Sequence, residues 1–435
     1  MKKLIASAGI LIVGAGVAPA VNYGDLGTGE TAKRWNATLA LRGFYDDNYA
    51  TSPGGLQQSS GGFQVNPTIA GNLPGAQTYL AAKLDYSMLY FFDRPGDKID
   101  HNLSLDLKLD HRFNERQRLR VEDLLTYSKQ PELLDRSGTV TTPLRSESDG
   151  IRNFLPIEFS WQLTRLFSLE LGYQNVFYKY FDDQLNENTY AARLNRWEHR
   201  VHVDARWQLQ PHTVGLVGYE VGLVDYTSGA TLFPATTVTD NSTIPPTIRT
   251  FKAVKAEDRN NFSQSIYVGG EHDFSSDLSL GLKVGANFNN YYNAGQTDLS
   301  PFVDLALSWS YLPGNLIKIG LKQAHNSTDV ISPRDSSGEI TIDQYTTTVY
   351  GAIIHRITPK LTGTFQPQYQ HSVYTGGSFD GRADDYFNLA LSLDYRFNYN
   401  WSAEFRYYFD YLTSSAVDSR DFTRNRIYAG VRLTY

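Results

Sequence analysis

From Phe387 to Phe397 the odd positions read Phe, Leu, Leu, Leu, Tyr and Phe, while the even ones read Asn388, Ala390, Ser392, Asp394 and Arg396. A period of two with one apolar and one polar face is the signature of a β-strand. After Asn398-Tyr399-Asn400 the pattern resumes with Trp401, Ala403, Phe405, Tyr407, Phe409 and Tyr411 set against Ser402, Glu404, Arg406, Tyr408 and Asp410. The final run alternates Ile427, Ala429, Val431, Leu433 and Tyr435 with Tyr428, Gly430, Arg432 and Thr434. Earlier in the chain Leu103, Leu105, Leu107 and Leu109 alternate with Ser104, Asp106, Lys108 and Asp110, a spacing that no helical face can hold.

Extending this reading gives about eighteen strands of roughly ten to fourteen residues, joined alternately by tight turns and longer polar loops. The tight connections include Pro74-Gly75-Ala76, Asn114-Glu115-Arg116, Gln210-Pro211-His212 and Pro313-Gly314-Asn315; the long ones include Lys129 to Gly150, Ser228 to Arg259 and Asn326 to Glu339. Soluble sandwiches have shorter strands, and their long loops need not lie at one end. The pattern predicts an all-β chain: a transmembrane antiparallel up-and-down barrel with short periplasmic turns and long extracellular loops. Trp35, Tyr45, Tyr90, Trp161, Tyr292, Tyr311, Trp401 and Tyr411 near strand ends suit interfacial girdles. Two positions resist the pattern. Asp123 falls on an apolar face, which predicts a bulge or an interface, and the strand over 345–356 alternates too poorly for its facing to be assigned.

Residues 1–20, with Lys2, Lys3, an apolar stretch and Ala18-Pro19-Ala20, read as a cleaved signal peptide. Residues 21–34 form a polar lead-in and 35–435 a single barrel, which places the protein in the cell outer membrane. Cysteine is absent, excluding disulfides, thiolate metal sites and cysteine nucleophiles. A net charge of −6 and the lack of a DNA-reading motif argue against nucleic-acid binding.

On this register the inward face carries both signs of charge: Arg42, Lys83, Asp85, Asp106, Lys108, Arg118, Arg120, Glu122, Glu198, Arg200, Asp204, Arg206, Lys318, Lys322, Asp394, Arg396, Glu404, Arg406 and Arg432. Mixed charge predicts weak ion selectivity and pairing across neighbouring strands. Tyr178, Tyr180, Tyr267, Tyr291, Tyr374, Tyr408 and Tyr428 share that parity, and the loops at 129–150 and 228–259 are long enough to fold inward as a constriction. Glu198, His202 and Asp204 share one face, most simply as part of a solvated wall. No spacing marks a catalytic set, a cofactor or a metal site, and the acidic pairs Asp182-Asp183 and Asp384-Asp385 lack the ligand order of a calcium loop.

The stretches Leu109-Asp110-His111-Arg112-Phe113-Asn114-Glu115-Arg116, His355-Arg356-Ile357-Thr358-Pro359-Lys360-Leu361 and Arg424 to Tyr435 resemble the type-two beta-barrel porin family of bacterial outer-membrane proteins, over nearly all of the mature chain. The resemblance implies a passive channel for hydrophilic solutes. Some similar proteins look like exit pores for exopolysaccharide, which adds saccharide and polysaccharide-export proteins to outer-membrane lipid and the barrel-assembly machinery as expected partners. A plugged barrel that acts through its outer loops is the alternative. The closing aromatic, Tyr435, takes the place of the commoner phenylalanine as assembly signal.

Overall fold

The computed structural model describes residues 34–128, 133–134, 140–142, 149–183, 186–187, 189–240 and 247–435. The signal peptide, nearly all of the lead-in and most of the 129–150 loop lie outside these residues. Eighteen strands form one closed sheet. They are β1 (Trp35–Asp46), β2 (Ser60–Pro74), β3 (Thr78–Phe91), β4 (Ile99–Asn114), β5 (Gln117–Ser128) and β6 (Gly150–Gln162). Next come β7 (Phe167–Tyr180), β8 (Arg196–Gln210), β9 (Thr213–Tyr226), β10 (Asn261–Asp273), β11 (Leu278–Tyr291) and β12 (Gln296–Leu312). The last six are β13 (Asn315–Asn326), β14 (Asp343–Thr358), β15 (Leu361–Thr375), β16 (Ala383–Arg396), β17 (Trp401–Ser414) and β18 (Phe422–Thr434).

Each strand pairs antiparallel with its sequence neighbours, and β1 closes on β18 through pairs such as Leu39↔Leu433 and Arg42↔Gly430. Pairing of β1 with β18 removes the two edges that an open sheet would present to lipid. Every connection at the periplasmic end is a tight turn, and at the other end the 292–295 turn between β11 and β12 is as short while the remaining connections are longer. The barrel starts and finishes at the periplasmic end: Tyr435 exchanges backbone hydrogen bonds with Ala37 and lays its ring against Trp35. The strands run from 12 to 17 residues, longer than the alternation alone suggested, because polar residues at the extracellular ends continue the ladders.

The two faces are inverted relative to a soluble protein. Ile69, Ile266, Leu41 and Trp35 stand 58, 62, 48 and 54% exposed on the outside, whereas Arg42, Asp204 and Glu404 are 4, 1 and 3% exposed inside. A continuous exposed apolar band of this kind is a lipid-facing surface.

Three prolines interrupt ladders at Pro67, Pro156 and Pro367, where pairing lapses for two residues and then resumes in the same register. Beside Pro67, the Asn66 amide takes over the Tyr86 carbonyl at 2.7 Å. There is no bulge at Asp123. Register on both sides of the Pro156 lapse is the same, and the outward Asp123 carboxylate accepts a hydrogen bond from Asn153 on the adjacent strand. The facing of β14 is also settled: Gln344, Thr346, Thr348, Tyr350 and Ala352 are buried inside, and Val349 and Ile353 face out. Its pattern is weak because both faces mix polar and apolar residues: Thr347 shares the parity of Val349, and Tyr350 and Ala352 share that of Thr346 and Thr348.

Candidate channel interior

The interior charges sit in neighbour-to-neighbour networks. On β8 the buried Asp204 accepts hydrogen bonds from Tyr267 Oη at 2.6 Å and Lys283 Nζ at 3.1 Å, although these residues stand two and three strands away. Gly218 makes that reach possible, since a Cβ there would lie 2.2 Å from the Tyr267 ring and 2.3 Å from Asp204. Arg206 lies between Glu271 at 2.7 Å and Glu170 at 3.4 Å. Arg118 forks onto Asp110, Arg120 lies 3.8 Å from Glu158, and Lys108 is 3.9 Å from Asp106. Lys83 stands opposite Asp106 and Glu122 opposite Lys108, while Asp85 accepts from Thr68 and Asn66.

Near the closing seam Glu404 collects Arg42 at 2.5 Å, Arg432 at 2.9 Å and Arg406 at 3.1 Å, and Arg432 also reaches Asp394 at 3.6 Å. Lys318 lies 5.6 Å from the Tyr350 ring, Lys322 pairs in register with Asp304, and Arg396 is exposed at the periplasmic rim. Glu198, His202 and Asp204 share their face but do not converge. Glu198 binds Arg196 at 2.7 Å and approaches Arg200 at 3.9 Å, Asp204 has the partners above, and the His202 ring fills the space over Gly172. The acidic pairs have partners within the protein. Asp182 accepts from the backbone of Tyr190 and Ala191, Asp384 binds Tyr374 and Arg420, and no group of metal-ligating side chains occurs among the described residues.

Beneath the extracellular end lies a cavity of about 340 Å³ lined from β6 to β14 by residues including Arg152, Tyr178, Glu198, His202, Tyr267, Lys283, Asn289, Lys322 and His325. A second, of about 300 Å³, continues toward the periplasm along Arg120, Glu158, Glu170, Arg206 and Glu271, and shares His202, Lys283 and Lys322 with the first. Tyrosine faces in this part of the wall are covered: Arg196 lies 3.9 Å from the Tyr178 ring centre and Arg259 4.1 Å from that of Tyr226.

Above the cavity the extracellular loops form a packed cap. A short helix α1 (Tyr190–Leu194), capped by Thr189, contributes Ala192 to a cluster with Ala230, Leu232, Val254 and Ala256 of the 227–260 connection and Ile331, Ile340 and Ile342 of the 327–342 segment. Arg259, wholly buried, donates to Thr328 O and to Arg193 O; burial lowers the pKa of its guanidinium. Arg420 reaches Asp329 at 2.5 Å and Asp384 at 3.0 Å, tying the last loop to the 327–342 segment. Burial alone would lower the pKa of that guanidinium, but Asp329, Tyr374 and Asp384 together hold it well above the ordinary arginine value. In the sequence these residues are scattered loop positions without periodicity, so nothing there marked them as one unit.

Residues 301–435 match the profile of a family described as "Putative beta-barrel porin 2". Of the three stretches that carry the sequence resemblance, those at 355–361 and 424–435 lie within the match and that at 109–116 lies outside it. No curated protein matches the chain. Solved structures similar to it include the outer membrane protein opdK from Pseudomonas aeruginosa, at 10% identity and a TM-score of 0.45, covering 92% of this chain and 99% of that one. OccAB4 from Acinetobacter baumannii is 12% identical with a TM-score of 0.43, covering 92% and 98%. A BenF-like porin from Pseudomonas fluorescens Pf-5 is 12% identical with a TM-score of 0.43, covering 93% and 99%.

Proposed function

We propose that the protein is an outer-membrane channel for small hydrophilic solutes, narrowed at its extracellular mouth by the loop cap. The observation that carries this reading is the inverted barrel, with its exposed apolar band outside and ion-paired cavities inside along β5 to β14. Eighteen strands enclose enough area for an aqueous path, and interleaved charges of both signs favour size over ion selection. Short saccharides fit the hydrogen-bonding lining. Passage of a polymer such as an exopolysaccharide would also require the arginines to leave the Tyr178 and Tyr226 faces.

The cap supports a second reading, a closed barrel that binds partners through its loops. Deleting 228–259 separates the two. A rise in planar-bilayer conductance and in sugar uptake by liposomes supports the channel; unchanged, negligible conductance with loss of cell-surface binding supports the closed barrel.

A further inference from the structure

The ladder between β12 and β13 runs upward only to Val303↔Gln323, although β12 continues to Gln296 and β13 to Asn326. The other side of each strand stays zipped, β12 to β11 as far as Gln296 and β13 to β14 as far as Asn326. The lapse therefore belongs to this seam; it covers the three positions from Ala324 to Asn326, where β13 ends, against two positions at each of the other three prolines. At roughly 2.5 Å of rise per tilted residue, it opens about 23 Å above the periplasmic turn, level with the outer leaflet.

Pro301 explains the break. The Tyr345 hydroxyl of β14 donates to the Pro301 carbonyl at 3.0 Å, so that carbonyl points across the seam. In a strand the N–H of a residue points the same way as its carbonyl, and proline has none to offer β13. Side chains from four successive strands hold the lips instead. His325 Nδ1 lies 2.8 Å from Asp343 Oδ2 and its Nε2 2.8 Å from Asp298 Oδ2, while Tyr291 Oη donates to Asp343.

The inner cavity reaches both lips. Pro301 and Phe302 line it from one strand, Ala324 and His325 from the other. Beside them are polar atoms with no hydrogen-bond partner in the protein: Nδ2 of Asn289, 3% exposed, Oδ1 of Asn287, and Oγ of Ser300, 8% exposed. Outside, Leu299 stands 72% exposed to lipid. The cavity thus meets a packed cap above and a side-chain-held slit at its flank.

We infer that the β12–β13 seam is a lateral port through which a single-chain amphiphile passes between the cavity and the outer leaflet, its polar head held by Asn287 and Asn289 and its alkyl chain lying between Phe302 and Ala324. A free backbone edge held by side chains parts without breaking a ladder, and a molecule with a polar end and an apolar end satisfies both environments at once.

The test uses the full chain in lipid nanodiscs and dansyl-labelled undecanoic acid, whose fluorescence reports entry into the protein above that of empty nanodiscs. Because the chain has no cysteine, the double variant Phe302→Cys/Ala324→Cys compares the port locked and unlocked in one preparation. Oxidation is expected to slow entry by about tenfold and reduction to restore it. Asn289→Leu is expected to weaken binding by about tenfold with little change in entry rate. Equal entry rates for verified oxidised and reduced protein, or no saturable signal above empty nanodiscs, overturn the port. Should the disulfide not form, Pro301→Val/His325→Val, which restores the backbone donor and removes the clasp, is expected to slow entry likewise, and unchanged entry overturns it. Salt conductance of the same variants in planar bilayers reports the axial path separately, so the port and the proposed channel can fail independently.

Discussion

The cap can be opened at one residue. In Arg420→Gln the guanidinium that joins Asp329 and Asp384 is lost, and both carboxylates stand at least nine-tenths buried. Asp384 keeps the Tyr374 hydroxyl at 2.5 Å, but Asp329 has an oxygen already without a hydrogen-bond partner and is left nearly uncompensated. Breaking a buried pair from one side costs about 3–5 kcal/mol. The loops escape most of that cost by separating and letting water reach the carboxylates, which the barrel wall cannot do. Even 3 kcal/mol changes the ratio of open to closed cap by about 150-fold. Planar-bilayer recordings should therefore show more frequent or longer open events, with the heat-modifiable folded band intact. Asp329→Asn/Asp384→Asn added to Arg420→Gln removes the uncompensated charge and should return conductance toward the starting level. A fully folded Arg420→Gln protein with unchanged conductance would refute the idea that this ion pair holds the mouth shut.

Three further outcomes follow from the same geometry. Gly218→Val places a side chain where Tyr267 and Asp204 lie within 2.3 Å, so the heat-modifiability midpoint should fall, with overpacking alone costing about 1–3 kcal/mol; Gly281→Val, with nothing within 4 Å, is the matched control. Tyr435→Ser should lower the yield of folded protein in outer membranes, and an unchanged yield would remove Tyr435 as the assembly signal. Burial disfavours ionised Asp335, but hydrogen bonds from Ser337 Oγ and from the amides of Glu339 and Ser337 outweigh it and hold the carboxyl below its usual value. A depressed carboxyl stabilises the fold above its unfolded pKa and loses that contribution as pH falls through the folded value, so hydrogen-exchange protection of the Ser337 and Glu339 amides should persist at neutral pH and through the ordinary aspartate range, and fade only in acid below that range.

The wall was legible in the sequence because a spanning strand has two faces in two solvents, and every second residue must declare which one it meets. Leu103 to Asp110 and Phe387 to Phe397 therefore disclosed their facing at once, and the inward parity of Arg42, Glu198 and Asp204 followed from it. Where both faces mixed polar and apolar residues, as on β14, parity was silent until β13 and β15 fixed it. Partner choice was less legible. Asp204 meets Tyr267 and Lys283 across intervening strands because Gly218 leaves the space, and Asp46 meets Arg424 only because β1 closes on β18.

The sequence by itself determined a membrane barrel, its strand number and the polarity of its lining, since these depend on local period and connection length. Only the tertiary structure decided that loops pack over the cavity, that Arg420 and Arg259 join separate loop segments there, and that β12 parts from β13 above Val303. Those features arise where loops distant in sequence pack together, or where a missing Pro301 N–H matters only once a neighbouring strand is in place to need it. Local alternation carries no record of either.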